Sequence, residues 1–330
     1  MSRFNQILAV ILVVQIALAA FILWPRAAVS SGGGPLLPDY KAADVTGLTL
    51  SDSEGNKLAL AKSGDNWVLP EADDYPVDGA KVTPLLDKIE KIRTNRLVTQ
   101  TEGSHSRLKV ATDDFTSLVE IQLKDGASHK LYIGSSAGAA ATHVRADDRP
   151  EVYLAGDINS FEASPQAGSW VDTLYFTVPQ TATTSLTLEN ANGTFEFTKE
   201  GEQWTMPGLA GEETFNENNF TSLFSQASGI RMTRPLGKEE DPAYGLDKPQ
   251  AVITLKTTST GSGQAADKTY TLSIGAKDET DNTYVVKSSE SPYYVRVSEG
   301  LMNTFLEKKR DDFLQAPPTA EPGAEATPAP

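Results

Sequence analysis

The sequence predicts an α+β fold: two tandem repeats, each of antiparallel sheet with an amphipathic helix packed on it, behind one N-terminal transmembrane helix. Three observations predict it. An uncharged apolar run opens the chain, and downstream of it the chain matches itself at a spacing of about 138 residues. Within each match, period-two strand patterns surround a single stripe of period 3.6.

The opening run extends from Gln6 to Trp24, QILAVILVVQIALAAFILW, without a charge. Its length approaches the roughly 20 residues that cross a bilayer core. Trp24 sits where an interfacial aromatic belongs, Pro25-Arg26 end the segment and Arg3 precedes it. Ala17-Leu18-Ala19 offers a signal-peptidase-like alternative, but the apolar run continues past it through Trp24, which favours an uncleaved anchor. Residues 1–5 are then a cytoplasmic tip and 6–24 the anchor. Residues 25–43 form a linker, flexible through Ser30-Ser31-Gly32-Gly33-Gly34 and on to Pro38. The rest of the chain lies outside the cytoplasm. Past Ala316, Pro, Ala and Glu dominate, so 316–330 is expected to be a disordered tail.

Between linker and tail, repeat one covers 44–176 and repeat two 177–315. Leu48 and Leu50 answer Leu186 and Leu188, each pair alternating as on a half-buried strand. Leu58 and Leu60 answer Phe195 and Phe197, and Asn66-Trp67 answers Gln203-Trp204. Val82, Leu85, Leu86, Ile89 and Ile92 then make a helical stripe matched by Phe220, Leu223, Phe224, Ala227 and Ile230. Alternating runs follow at Val119-Ile121-Leu123 and Ala251-Ile253-Leu255, with turns at Lys124-Asp125-Gly126 and in the Gly/Ser-rich loop Thr257 to Asp267. Gly134 answers Gly275, and His143-Val144-Arg145 answers Tyr284-Val285-Val286. A short helix is expected to close each repeat, near Ile158–Ala163 and Gly300–Lys308. The pattern is β-β-β-α, an antiparallel meander, then a helix.

With these elements in place, Tyr244-Gly245-Leu246-Asp247-x-Pro249, Ile274-Gly275 and Tyr284-Val285 resemble the bacterial domain of unknown function family 4340. The first repeat carries a degenerate counterpart, Ser104-His105-Ser106-x-Leu108-x-Val110. The resemblance spans about Asp44 to Leu314. It implies a membrane-tethered envelope protein, and, as partners, auxiliary subunits of ABC-type transporters of the gliding-motility kind. It carries no catalytic or binding residue over to this chain.

Composition narrows the chemistry. A net charge of −15 argues against nucleic acid, which needs clustered Lys and Arg. The absence of cysteine excludes disulfides, thiol nucleophiles and thiolate metal sites. No cofactor motif is present. His105, His129 and His143 lack metal-pair spacing; His129 is expected in a solvated position after its turn, and His143 on a strand face. Ser104-His105-Ser106 has no flanking elbow glycines, and its counterpart Asp241-Pro242-Ala243 keeps neither group. The acidic turn Asp278-Glu279-Thr280-Asp281 offers oxygen ligands without the spacing of a calcium loop. Gly134 and Gly275 are read as turn glycines needing positive φ. Trp67 and Trp204 are read as core markers rather than glycan platforms.

Interaction candidates are Arg93, Arg96, Arg231 and Arg234, which follow the two helices; their bland reading is complementation of the helix dipole. The function expected is therefore a non-catalytic, membrane-anchored accessory or scaffold protein of an envelope complex, without enzymatic activity, cofactor or metal. The alternative is a binding module holding a glycan, peptide or lipid in a groove between the repeats.

Overall fold

A computed structural model describes residue 15 and residues 33–138, 141–258 and 267–315. The anchor expected over 6–24 lies, apart from Gln15, outside the described residues, as does the tail 316–330. Among the described residues no helix is long and apolar enough to cross a membrane. The architecture is α+β, with large antiparallel sheets and, within residues 33–315 as described, four α-helices. The described residues gather into two compact units, one from those within 1–57 and 82–165, the other from those within 58–81 and 166–330. These units are not the two sequence repeats, because residues 58–81 of the first repeat count with the second unit.

In the first unit β1 (Val45–Asp52), β6 (Ser117–Leu123), β7 (Ser128–Ser136), β8 (Ala141–Ala146), β9 (Val152–Gly156) and β5 (Leu97–Thr99) follow one another across the sheet in that order. The alternation read from the sequence sets its register: Leu48 pairs with Ile121 and Leu50 with Val119, all buried. Helix α1 (Gly79–Glu90) buries the expected stripe Val82, Leu85, Leu86 and Ile89. Asp78 caps its start, its carboxylate accepting the Ala80 N–H at 3.0 Å. A four-residue helix, α2 (His105–Leu108), follows β5. The closing helix expected at Ile158–Ala163 is only a 3-10 turn, Ser160–Ala163, held between the left-handed Asp157 and Pro165.

The linker expectation fails from Leu36 on. Leu36, Leu37 and Tyr40 are buried, Leu36 donates its N–H to the Ile92 carbonyl at 2.9 Å, and the Tyr40 hydroxyl donates to that of Leu86 at 3.1 Å. Apolar side chains beyond Gly34 find the sheet's helix, which composition alone does not reveal. Burial, with Glu90 and Asp87 adding to it, pushes the Tyr40 phenol above its ordinary value.

The second unit holds a sheet of order β13-β12-β11-β16-β17-β18-β19-β15. These strands are Gln203–Thr205, Gly193–Glu200, Thr183–Asn190, Ala251–Thr257, Lys268–Asp278, Thr283–Ser288, Tyr294–Ser298 and Arg234–Gly237 respectively. Leu186 pairs with Leu255 and Leu188 with Ile253. Helix α3 (Glu217–Ala227) starts at Asn216, whose side chain accepts the Asn219 N–H, and buries Phe220, Leu223, Phe224 and Ala227. Phe197, Phe220 and Phe313 are fully buried, with Phe197 4.6 Å from Phe220 and 4.8 Å from Phe313 between ring centres. Helix α4 (Glu299–Leu306) closes the fold where one was expected. The amides of Asn190 and Asn192 donate to the carbonyls of its last turn and of Lys308, groups a helix end leaves unpaired. The second unit also contains β2 (Lys57–Ser63, from Leu58 on), β3 (Asn66–Leu69) and β4 (Tyr75–Val77), an antiparallel strip, and a ribbon of β10 (Leu174–Thr177) with β14 (Gly229–Arg231).

Tyr175, on β10, donates its hydroxyl to the Tyr293 carbonyl at 2.7 Å and accepts the Ser288 N–H at 2.9 Å. Burial pushes its phenol up to about 12. A folded value above the unfolded one stabilises fully below the unfolded value, about 10, and the benefit is lost as pH rises towards 12. We expect the second unit to lose stability between pH 10 and 12, and Tyr175→Phe to flatten that loss; denaturant midpoints across this range check it.

Candidate functional site

The structure places the four arginines that follow the helices at different kinds of position. Arg93 lies past the end of α1, in an isolated bridge to Pro35, and Arg96 immediately precedes β5. Helix α3 has no basic residue in its last turn; Arg231 is on β14 and Arg234 opens β15. The dipole reading of the second pair is therefore replaced by strand positions.

β5 ends its sheet. It pairs with β9 through Leu97↔Tyr153 and Thr99↔Val152, with a bulge between. β15 ends the other sheet in the same way, Pro235↔Val295 and Gly237↔Tyr294, bulged at the same point. The correspondence sets Leu97 against Pro235, Val98 against Leu236, and Thr99 against Gly237. Their exposure differs sharply. Pro235 and Gly237 are buried, whereas Leu97 is 41% and Val98 40% exposed. Among the described residues they are two of four exposed large apolar side chains, with Phe161 and Leu174. Arg93 and Arg96 beside them are exposed too.

What buries β15 is a segment of its own unit. Asp73 and Asp74, both left-handed at φ 52° and 57°, turn the chain between Ala72 and Tyr75 over the strand. The Asp73 carboxylate accepts the Lys238 N–H at 2.5 Å. Gly237, at φ 115°, leaves the space: a Cβ there would stand 2.6 Å from Asp73 Oδ2. The Tyr293 hydroxyl donates to the carbonyls of Asp73 and Asp74, and Tyr75 meets the Tyr293 ring edge-on at 4.6 Å. An acidic turn followed by an aromatic thus caps an edge whose backbone would otherwise stand open.

The second pair of arginines is already occupied. Arg231 donates to Thr173 Oγ1 at 3.1 Å, and Arg234 pairs with Asp281 at 3.2 Å. Arg231 borders a cleft of about 510 Å³ with Pro76, Asp78, Lys81, Val171 and Asp172. Its other cation, Lys81, donates to the Val171 carbonyl at 2.6 Å. The acidic turn is likewise satisfied from within: Asp278 pairs with Arg296, Glu279 with Lys277 and Asp281 with Arg234. Burial pushes the Asp281 carboxyl up, but the Thr283 hydroxyl and Arg234 outweigh it and hold it below its ordinary value.

The histidines serve the fold. His105 Nε2 donates to the Pro150 carbonyl at 2.9 Å, and His143, on β8 as expected, donates from Nδ1 to the Ser135 carbonyl at 2.8 Å. His129 corrects its expectation: on β7, its side chain is 14% exposed and lies 3.3 Å from Asp147. Trp67 is buried, paired across the strands with Lys62; Trp204, half-buried and paired with Lys199, packs on Phe220 and Phe224 at 4.7 and 5.0 Å.

Gly134 and Gly275 have no positive φ, and the turn reading is replaced by close approach. A Cβ on Gly134 would lie 2.2 Å from the Leu108 carbonyl oxygen, and one on Gly275 2.1 Å from that of Tyr244. In each case the carbonyl belongs to a short helical turn, followed by a left-handed residue, Lys109 or Gly245. This explains the Tyr244-Gly245 and Ile274-Gly275 motifs as two halves of one contact.

Sequence reasoning missed one residue of consequence. Arg145 is buried, 4.0 Å over the Tyr132 ring, and donates to the carbonyls of Val110 and Asp147 at 2.6 Å. Its strand pattern reads as alternating apolar, so nothing marked it. Arg145→Met leaves those carbonyls unpaired and is expected to cost about 2–4 kcal/mol in chemical denaturation.

The family model described as "Domain of unknown function (DUF4340)" matches residues 67–249, more than half of the chain. The chain belongs to that family. The match begins at Trp67 and ends at Pro249, so it takes in the Asp73-Asp74 turn, α1, the β5 edge, the strands β6 to β9 and the Tyr244-Gly245 motif of this DUF4340 protein. No curated protein and no solved structure matches it.

Proposed function

We propose that this DUF4340 chain is a non-catalytic accessory or scaffold protein of an envelope complex. On this reading it is anchored in the inner membrane by residues 6–24, with its sheets outside the cytoplasm, and its partners include subunits of an ABC-type transport system. It is built from two copies of one module. The duplication is supported by the shared strand order β1-β6-β7-β8-β9-β5 and β11-β16-β17-β18-β19-β15. The paired glycines Gly134 and Gly275 and the cross-strand pairs Lys62–Trp67 and Lys199–Trp204 support it as well.

The observation that carries the docking reading is the open β5 edge, exposed at Leu97 and Val98 and flanked by Arg93 and Arg96, while its counterpart is covered. Soluble proteins rarely leave an edge strand both apolar and bare unless something pairs with it. The alternative of a small-ligand cleft is less supported, since the cations at the 510 Å³ cleft are spent on protein oxygens.

The test is affinity purification of the full chain from solubilised membranes, compared with the double variant Leu97→Asp, Val98→Asp. A reproducible set of envelope proteins should co-purify with the wild type and be lost from the variant, while Phe161→Ser retains it. An identical set from all three chains would refute the docking role.

A further inference from the structure

The geometry points to an extended segment of a partner protein, acidic and then basic, as the occupant of the β5 edge. This inference rests on the docking reading above and adds the chemistry of what docks. The second unit supplies the template, because its equivalent edge is covered within the same chain by Ala72-Asp73-Asp74-Tyr75. There a carboxylate takes the N–H of the residue after the strand, Lys238, and the aromatic of Tyr75 meets Tyr293, which precedes β19.

Carried onto β5 by the shared register, the N–H corresponds to that of Gln100, and the position of Tyr293 to Glu151. Gln100 is exposed, as are Arg93 and Arg96 on the same rim. A carboxylate arriving there meets a backbone donor, and the charge of Arg96, four residues earlier on the same rim, adds a longer-range attraction. Where Tyr293 offers a ring, Glu151 offers a carboxylate. The occupant's residue in the place of Tyr75 should therefore be Lys or Arg. Thr99 stands where the second unit has Gly237, at which a Cβ would stand only 2.6 Å from the Asp73 carboxylate. The segment on β5 must ride slightly higher, which a longer Glu permits. A second copy of this chain is the poorer occupant, because two β5 rims pairing antiparallel about Val98 set Arg96 against Gln100 and bring it no carboxylate.

The probe is a labelled synthetic peptide, Leu-Pro-Glu-Ala-Glu-Glu-Lys-Pro-Val, which is the sequence of residues 69–77 with Glu at the two Asp positions and Lys at the Tyr position. Its anisotropy is followed with the full chain in phosphatidylcholine nanodiscs. We expect saturable binding that weakens at least tenfold with Arg96→Glu and with Val98→Asp, and that weakens as salt rises. A peptide with Tyr restored at the Lys position should bind several-fold less well to the wild type, and equally well to Glu151→Gln. Circular dichroism melts of each variant, unchanged from wild type, confirm that these exposed substitutions leave the fold intact. Absence of binding, or binding indifferent to Arg96→Glu and Val98→Asp, overturns the inference. Binding abolished by phosphatidylglycerol nanodiscs also overturns it, by assigning the rim to an anionic bilayer. If the co-purifying set is lost in the Leu97→Asp, Val98→Asp chain while the peptide fails, the docking role stands and only the acidic–basic segment falls.

Discussion

Gly275→Ala is expected to destabilise the second unit by at least about 3 kcal/mol, the upper range for forcing a methyl into filled space. The new Cβ would stand 2.1 Å from the Tyr244 carbonyl oxygen and 3.1 Å from two Leu246 side-chain carbons. Neither partner yields cheaply, because Tyr244 belongs to a tight turn whose next residue, Gly245, is itself left-handed at φ 65°. Gly134→Ala should cost a similar amount in the first unit, where the obstacle is the Leu108 carbonyl at 2.2 Å with Val110 Cγ1 at 2.6 Å. Gly300→Ala is the control. It sits in α4 with nothing within 4 Å of a Cβ, and alanine there should stabilise by about 0.5–1 kcal/mol. Urea denaturation of the three variants decides the matter. Equal midpoints for Gly275→Ala and Gly300→Ala would show that the turn does not press on the strand.

Phe220→Ala is expected to cost about 3–5 kcal/mol, as truncating a fully buried aromatic usually does. Its ring meets Phe197 at 4.6 Å, Trp204 at 4.7 Å and Phe224 at 5.7 Å, so the cavity opens in the middle of an aromatic cluster. Trp204→Ala should cost less, about 2–3 kcal/mol, because Trp204 is only half-buried and its site can partly collapse or take up solvent. Loss of the ring contacts should also appear in the near-ultraviolet circular dichroism of the Trp204 variant. A Trp204→Ala chain as stable as wild type would reopen the reading of that tryptophan as an exposed stacking platform.

Much of this architecture is written locally in the chain. Period-two runs such as Leu48-Leu50 and Leu186-Leu188 can bury one face only as strands, and the stripe from Val82 to Ile89 only as a helix. Those patterns determined the α+β class, the helix positions and the matched order of elements. Tertiary structure decided what depends on neighbours distant in sequence. Gly134 and Gly275 looked like turn glycines, since a sequence does not say which carbonyl will press on a strand. Leu36, Leu37 and Tyr40 looked like linker, because their partners Ile92 and Leu86 lie some fifty residues on. The four arginines looked alike by spacing. Only the fold separates Arg234, neutralised by Asp281 beside an edge that Asp73 covers, from Arg96, beside an edge that no described segment covers. That separation arises from a turn of two left-handed aspartates inserted between β3 and α1, whose contacts are made more than 160 residues away.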